Sequence, residues 1–555
     1  MALNFSMRWP GVLLVLFPAI AVAADPKDDV VMRAMVDELD RAKSQLSLEG
    51  LPKSYFIQMK AEERQTHSLS ASYGGLERSS KSHNRVASVR SRVGSYELDN
   101  TNFRASFWAA GVLPLDDDYK AIRNTLWLLL DQDYKRAVEN IAQKVAYLKD
   151  KTVEDRADDF SPADPVTVTQ PLDEPQFDRK TWEQNVIRLS ARFKDHPKIK
   201  DARVTMYSGW VHKWLVNTDG TRLRTMDTGA QIQIQAQMQA PDGMPVNDSR
   251  LYVAERMDQL PTVDKIAADI DEMCKALVTV AESQVLKQYT GPVLFDPVAA
   301  GSVFDSLLSV GPTARPQPLG SGDDTDPTME KKIGLRILPR SFSVYDDPGP
   351  KEFEGKVLAG AYEFDDEGVR PQRVNLVEKG ILKTLVASRT PTRAIKHSTG
   401  HGRASGFGDP KANAACLYFS TDAPLSDAEL KQELLQAARD EGLPFALHVK
   451  SVEEGQVGSI GDPILAFKVF VEDGHEEPAR GMQFKPMEVR NLKRLLAAGS
   501  ERKVFNTMSP VPASIISPAI LFEELEVARI EGEFDKLPIL PSPLVRGKGD
   551  PNHGS

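Results

Sequence analysis

Apolar residues three and four positions apart open the chain's first regular element. Val31, Met35, Val36 and Leu39 in "DDVVMRAMVDELDRAKSQL" predict an amphipathic helix. Two alternating segments, "SYFIQMKAEE" and "SHNRVASVRSRVGSYELDN", predict strands. The acids of "PLDDDYK" suit the positive end of a helix, and a long helical pattern follows through "AIRNTLWLLLDQDYKRAVENIAQKVAYLKDK". The four prolines of "DDFSPADPVTVTQPLDEPQFD" then break the pattern, which predicts a linker or a long surface loop. Another helix, "RKTWEQNVIRLSARFKDH", precedes two strand-like runs joined by the turn "NTDG". In "QIQIQAQMQ", Ile232, Ile234, Ala236 and Met238 alternate with glutamines, as one buried and one wet sheet face requires.

From Gly291 onward short strands and turns dominate. "DPVAAGSVFDSLLSVGP" predicts a helix with Asp296 as N-cap, Pro297 in the first turn and Gly311 and Pro312 at its end. Ala300, Val303, Phe304, Leu307 and Leu308 would bury one face and leave Ser302, Asp305, Ser306 and Ser309 on the other. Ser426 with Glu429 forms a capping box for a later helix, and Leu425 with Leu430 a hydrophobic staple. "PMEVRNLKRLLAAGS", closed by Gly499, reads as one more helix. The sum is an α+β chain whose C-terminal part is rich in β-structure. Its expected organisation is a signal peptide over 1–24, an N-terminal α+β domain over 25–112, a central α+β domain over 113–290, a β-rich domain over 291–545, and a disordered tail over 546–555.

The signal peptide rests on Arg8 without an acid before it, the apolar run Gly11–Val22, and small residues that place cleavage after Ala23 or Ala24. That run is too short to span a bilayer, so the expected location is periplasmic or secreted, with no membrane span. A net charge of -10 argues against nucleic acid as a partner. Export permits disulfides, yet Cys274 and Cys416 are the only cysteines; a buried free thiol is the plain reading of Cys274, and two isolated thiols make no paired-cysteine zinc site.

The segment "YEFDDEGVRPQRVNLVEKGILKTLVASRTPTR" predicts a turn at Asp365–Gly368 and a hairpin about Glu378, Lys379 and Gly380. The order Asp-Asp-Glu-Gly, Gln-Arg, an acidic-Lys-Gly turn and Ile-Leu-Lys resembles the C-terminal domain of the TldD/PmbA family. "GPVLFDPVAAG" and "ISPAILFEELEV" resemble it too, in the same order, and the likeness covers most of 291–530. The resemblance implies zinc peptidases of α+β architecture together with partner subunits that lack the metal site. In active members the helix after the Gly-Pro-Val-Leu-Phe strand carries His-Glu, three residues and a second His, and a Cys near the C-terminus completes the ligands. Laid without gaps, those positions fall on Ser306, Leu307 and Gly311, and "ERKVFNTMSPVPASIISP" offers no Cys or His.

No catalytic residue or zinc is therefore expected. His475-Glu476 is followed by Pro478 and reads as a surface turn, while His397 and His401 stand four apart in a glycine-rich loop that argues against a helical metal pair. In that loop His401 and Arg403 are candidates for gripping a ligand's peptide groups, beside the plainer reading of a tight turn. The expected function is a pseudopeptidase subunit that binds peptide or unfolded polypeptide and forms a homodimer, or a heterodimer with a relative. The alternative is an active peptide hydrolase with other ligands.

Overall fold

Asp29, Asp118 and Asp178 each accept a backbone N–H from the first turn of the helix that follows, at 2.8, 2.8 and 3.2 Å. They start α1 (Val30–Gln45), α2 (Tyr119–Asp150) and α3 (Arg179–Ala191), and for α2 this is the start that the acids of "PLDDDYK" predict. Three more helices are α4 (Val263–Glu282), α5 (Pro297–Leu308) and α6 (Asp427–Asp440). The computed structural model describes residues 29–544 with Phe17 and Pro18, apart from 105–107, 152–155, 321–328, 454, 456–459 and 509–510. The expected signal segment, but for Phe17 and Pro18, and the expected tail 546–555 lie outside the described residues.

The first sheet is built on a long hairpin. Strands Ser54–Ser72 and Gly75–Val93 pair antiparallel around Tyr73 and Gly74, both at positive φ. Ser54–Ser72 also pairs with Asp201–Asn217, then follow Arg222–Gln239 and Pro245–Ala254. One sheet thus takes strands from both sides of residue 112. Helices α1 and α2 cover one part of its apolar face, α3 and α4 another, where Ile232, Ile234, Ala236 and Met238 are all buried. The proline-rich segment differs from a solvated linker: Asp159, Phe160, Ser161 and Gln170 are buried, and Thr167–Thr169 adds a short parallel strand beside Arg222–Arg224.

The second sheet centres on Ala513–Arg529 and Gln288–Phe295, flanked by Cys416–Thr421 and Phe342–Asp346 on one side and Phe445–Val452 and Pro463–Phe470 on the other. Its Lys379 and Gly380 sit at φ +47° and +78°, the two-residue turn that joins Val374–Glu378 to Ile381–Leu382. Ser426 and Glu429 make the capping box, and Leu425 packs with Leu430.

Two expectations are corrected here. "PMEVRNLKRLLAAGS" is not a helix: a six-residue 3-10 turn, Val489–Arg494, leads into strand Leu495–Thr507, because Leu495 and Ala498 are buried between the neighbouring strands and tertiary packing overrides the leucine spacing. The expected polar face of α5 is only partly wet: Ser302 and Ser306 are buried along with its apolar residues, while Asp305 and Ser309 are half-buried. Asp296 does stand at its N-cap position, but its carboxylate engages His448 Nε2 at 2.7 Å rather than the helix backbone. A Cβ on Gly301 would lie 2.5 Å from Phe505 Cβ, so glycine lets α5 lie this close to strand Leu495–Thr507. Cys274 and Cys416 are free and buried, and burial pushes the Cys274 thiol up to about 12. No described helix is long and apolar enough to cross a membrane.

Candidate functional site

A cleft of about 810 Å³ separates the two sheets. One wall is strand Pro245–Ala254, hydrogen-bonded to Arg222–Gln239 along one edge and, among the described residues, to no strand along the other. The facing wall holds the first turns of α5, at Ala299 and Ser302, and residues 501–506 of strand Leu495–Thr507. Among the described residues that strand pairs with Ala513–Arg529 on one side and only at Ala498 and Gly499 with Pro424–Leu425 on the other. A tight hairpin, Glu352–Phe353 with Lys356–Val357, overhangs the opening. Two strand edges therefore bring unpaired backbone groups to one groove.

Two acids of the first wall, Asp248 and Asp269, are engaged. Asp248 pairs with Arg250 at 3.2 Å, and burial holds its carboxyl above the usual range. Asp269 accepts Tyr252 Oη–H at 2.8 Å and Lys265 Nζ at 2.7 Å. The family ligand positions fall beyond the lining residues: Ser306 and Leu307 in the last turn of α5 are 5 % and 6 % exposed, and Gly311, past the end of the helix, is buried against the Met329 side chain. No group of three or more His, Cys, Asp and Glu among the described residues is arranged to hold a metal ion.

His401 and Arg403 lie elsewhere, at the joint between the sheets. His401 is fully buried; its Nδ1 meets the Thr399 carbonyl at 3.0 Å, and its Nε2 lies 3.6 Å from Asp346 Oδ1. Arg403 donates to the Pro512 carbonyl at 2.6 Å and covers the Tyr362 ring at 4.7 Å. His397 is exposed, so the pair His397 and His401 does not converge. His475 is also exposed, its Nδ1 on Asp473.

The joint is organised by the Asp365–Gly368 turn. Asp365 accepts backbone N–H groups from Glu367, Val369 and Gly402 at 3.0, 2.8 and 2.8 Å. Asp366 takes Lys60 Nζ at 2.7 Å, and Glu367 takes the Arg389 N–H at 2.6 Å. Gly402 is needed because a Cβ there would stand 2.2 Å from Glu367 Oε2. Burial raises both Asp365 and Glu367, Glu367 to about 7 from 4.5, and the charge of Glu367 raises Asp365 further.

A raised carboxyl favours the fold in its protonated form. Its contribution is complete below about 4.5 and is lost as pH rises through about 7. Denaturant unfolding should therefore show stability falling between pH 5 and pH 8, with a smaller fall in Glu367→Gln. An equal fall in both proteins would show that this carboxyl does not titrate there.

Of these features the sequence shows the turn and the glycine-rich loop, but not the cleft. Strand Pro245–Ala254 has no clean alternation, since Asp248 is buried on a wall that is partly wet. The other wall carries leucines at helical spacing.

The PmbA/TldA metallopeptidase C-terminal domain model matches residues 288–529. A metalloprotease of Methanocaldococcus jannaschii is 38 % identical over 86 residues, 15 % of this chain and 18 % of that protein. One of Archaeoglobus fulgidus is 30 % identical over 112 residues, 20 % of this chain and 24 % of its own length. One of Methanothermobacter thermautotrophicus is 26 % identical over 215 residues, 38 % of this chain and 42 % of its own length. The matches thus span less than half of each relative. The structure of TldE from Thermococcus kodakarensis shares the fold, with a TM-score of 0.58 and 14 % identity over 89 % of this chain and 100 % of that one.

Proposed function

This chain belongs to the TldD/PmbA family, and on that premise we propose that it is an exported, non-catalytic member that holds extended peptides in the cleft and pairs with itself or with an active relative. The observation that carries the reading is the state of α5. The helix keeps its place beside the cleft, while the positions for two ligands and a general base hold Ser306, Leu307 and Gly311. A catalytic zinc needs three protein ligands and an open position for water, and these three residues supply neither imidazole nor carboxylate. What remains suits binding. Two open strand edges offer main-chain donors and acceptors to an extended segment of any sequence. Export is supported by the composition of residues 1–24, and a periplasmic or secreted location goes with it.

Elemental analysis of the purified mature protein should find no stoichiometric zinc, and unstructured peptides should survive incubation with it. Chelator-sensitive cleavage that disappears in His397→Ala and His401→Ala would replace this reading with that of an active hydrolase using other ligands. Co-purification with a relative that carries the intact His-Glu motif would support the heterodimer.

A further inference from the structure

We propose that Arg502, Phe353 and Lys356 form a carboxylate-binding corner of the cleft, which selects peptides that present a carboxylate to strand Leu495–Thr507. The proposal rests on the peptide-holding reading above and names the chemistry that such a peptide must carry.

Arg502 is half-buried, lines the cleft and lays its guanidinium over the Phe353 ring, 4.9 Å from the centroid. Lys356 stands directly across the hairpin from Phe353. The turn between them, Glu354 and Gly355, has φ of +49° and +72°, a tight two-residue connection that holds the lysine beside the ring. Among the described residues neither cation has a carboxylate within ion-pair distance. The other cations of the cleft are neutralised: Lys503 by Glu501 at 3.4 Å and Arg250 by Asp248 at 3.2 Å. Glu354, at the exposed hairpin tip, makes no ion pair with either.

The ring holds the guanidinium flat, shields one face from water and leaves the edge N–H groups free. A planar carboxylate fits such an edge with two parallel hydrogen bonds. Lys356 adds a second positive charge without fixed geometry. A peptide laid along the open edge of strand Leu495–Thr507 would bring either its C-terminal carboxylate or an Asp or Glu side chain to this corner.

Fluorescence anisotropy on the full mature protein tests it with labelled six-residue peptides of three kinds: a neutral sequence as free acid, the same sequence as C-terminal amide, and the amide carrying one internal Asp. The carboxylate forms should bind about tenfold tighter than the neutral amide, the strength of a charge-assisted hydrogen-bonded contact. Preference for the free acid would mark chain-end recognition, and preference for the internal Asp side-chain recognition; both support the corner. Arg502→Gln should erase the preference and Arg502→Lys keep part of it. Lys356→Gln, on the exposed hairpin, should weaken it without disturbing the fold. Equal binding of all three peptides, or a preference that survives Arg502→Gln, overturns the corner and leaves peptide holding intact. Failure of every peptide to bind overturns both.

Discussion

Phe304→Ala is expected to lower the unfolding free energy by about 3–5 kcal/mol, the usual cost of emptying a fully buried aromatic site. Phe304 is 0 % exposed and stacks on Phe419, with ring centroids 3.7 Å apart and planes 10° off parallel. Phe419 belongs to strand Cys416–Thr421, so the pair fixes α5 to the interior of the second sheet. The void left by alanine has α5 above it and strand backbone below, and neither can collapse into it without breaking a ladder. Phe304→Leu, which retains most of the volume, should cost clearly less. Guanidinium unfolding midpoints of the three proteins read the difference, and a midpoint for the alanine variant close to that of the wild type would show that α5 is not part of the cooperative core.

Arg389→Ala should be of similar size, about 3–5 kcal/mol, because removal of one partner strands the others' polar groups out of water. Arg389 is only 1 % exposed. It donates from Nε to the Ser161 carbonyl at 2.9 Å and from Nη2 to Asp219 at 2.7 Å, while its guanidinium covers the rings of Phe56 and Phe160 at 4.9 and 4.1 Å. Those partners belong to the first sheet and its buried proline-rich segment; the arginine belongs to the second half of the chain. The loss should therefore loosen the joint as a whole. Faster limited proteolysis between the two halves, beside the lower midpoint, distinguishes this from local damage. Unchanged cleavage would assign Arg389 a local role only.

The elements legible in the sequence are those whose period matches their burial. Ile232 to Met238 alternate because one face meets α4, and the capping box at Ser426 declares itself because its contacts are local. The misreadings have the opposite character. Leu492, Leu495 and Leu496 are spaced for a helix, but a neighbouring strand offers a ladder that no local pattern announces. Ser302 and Ser306 look like a wet face, yet both are buried where α5 lies against the sheet and strand Leu495–Thr507. The cleft is not legible for a related reason: its walls come from strand Pro245–Ala254 and its neighbours, the first turns of α5, the hairpin 353–357, residues 451, 452 and 464, and residues 501–506, and only the fold brings them together. His401 and Arg403 are candidates in the sequence because of the glycines around them. Those glycines serve the close approach of Gly402 to Glu367 and of Gly400 to the Arg370 carbonyl.

The register of the first sheet also bears on how the chain acquires its shape. Residues Gln58–Ala71 pair with Val204–Asn217, about 150 positions later, with α2 and the proline-rich segment threaded between them. A nascent chain that has emerged only as far as α2 holds a long hairpin with one flank unsatisfied, and loops this large close slowly. Until residue 217 arrives, that flank is a template for any other extended polypeptide nearby, which makes the first two hundred residues the interval in which misassembly competes with folding.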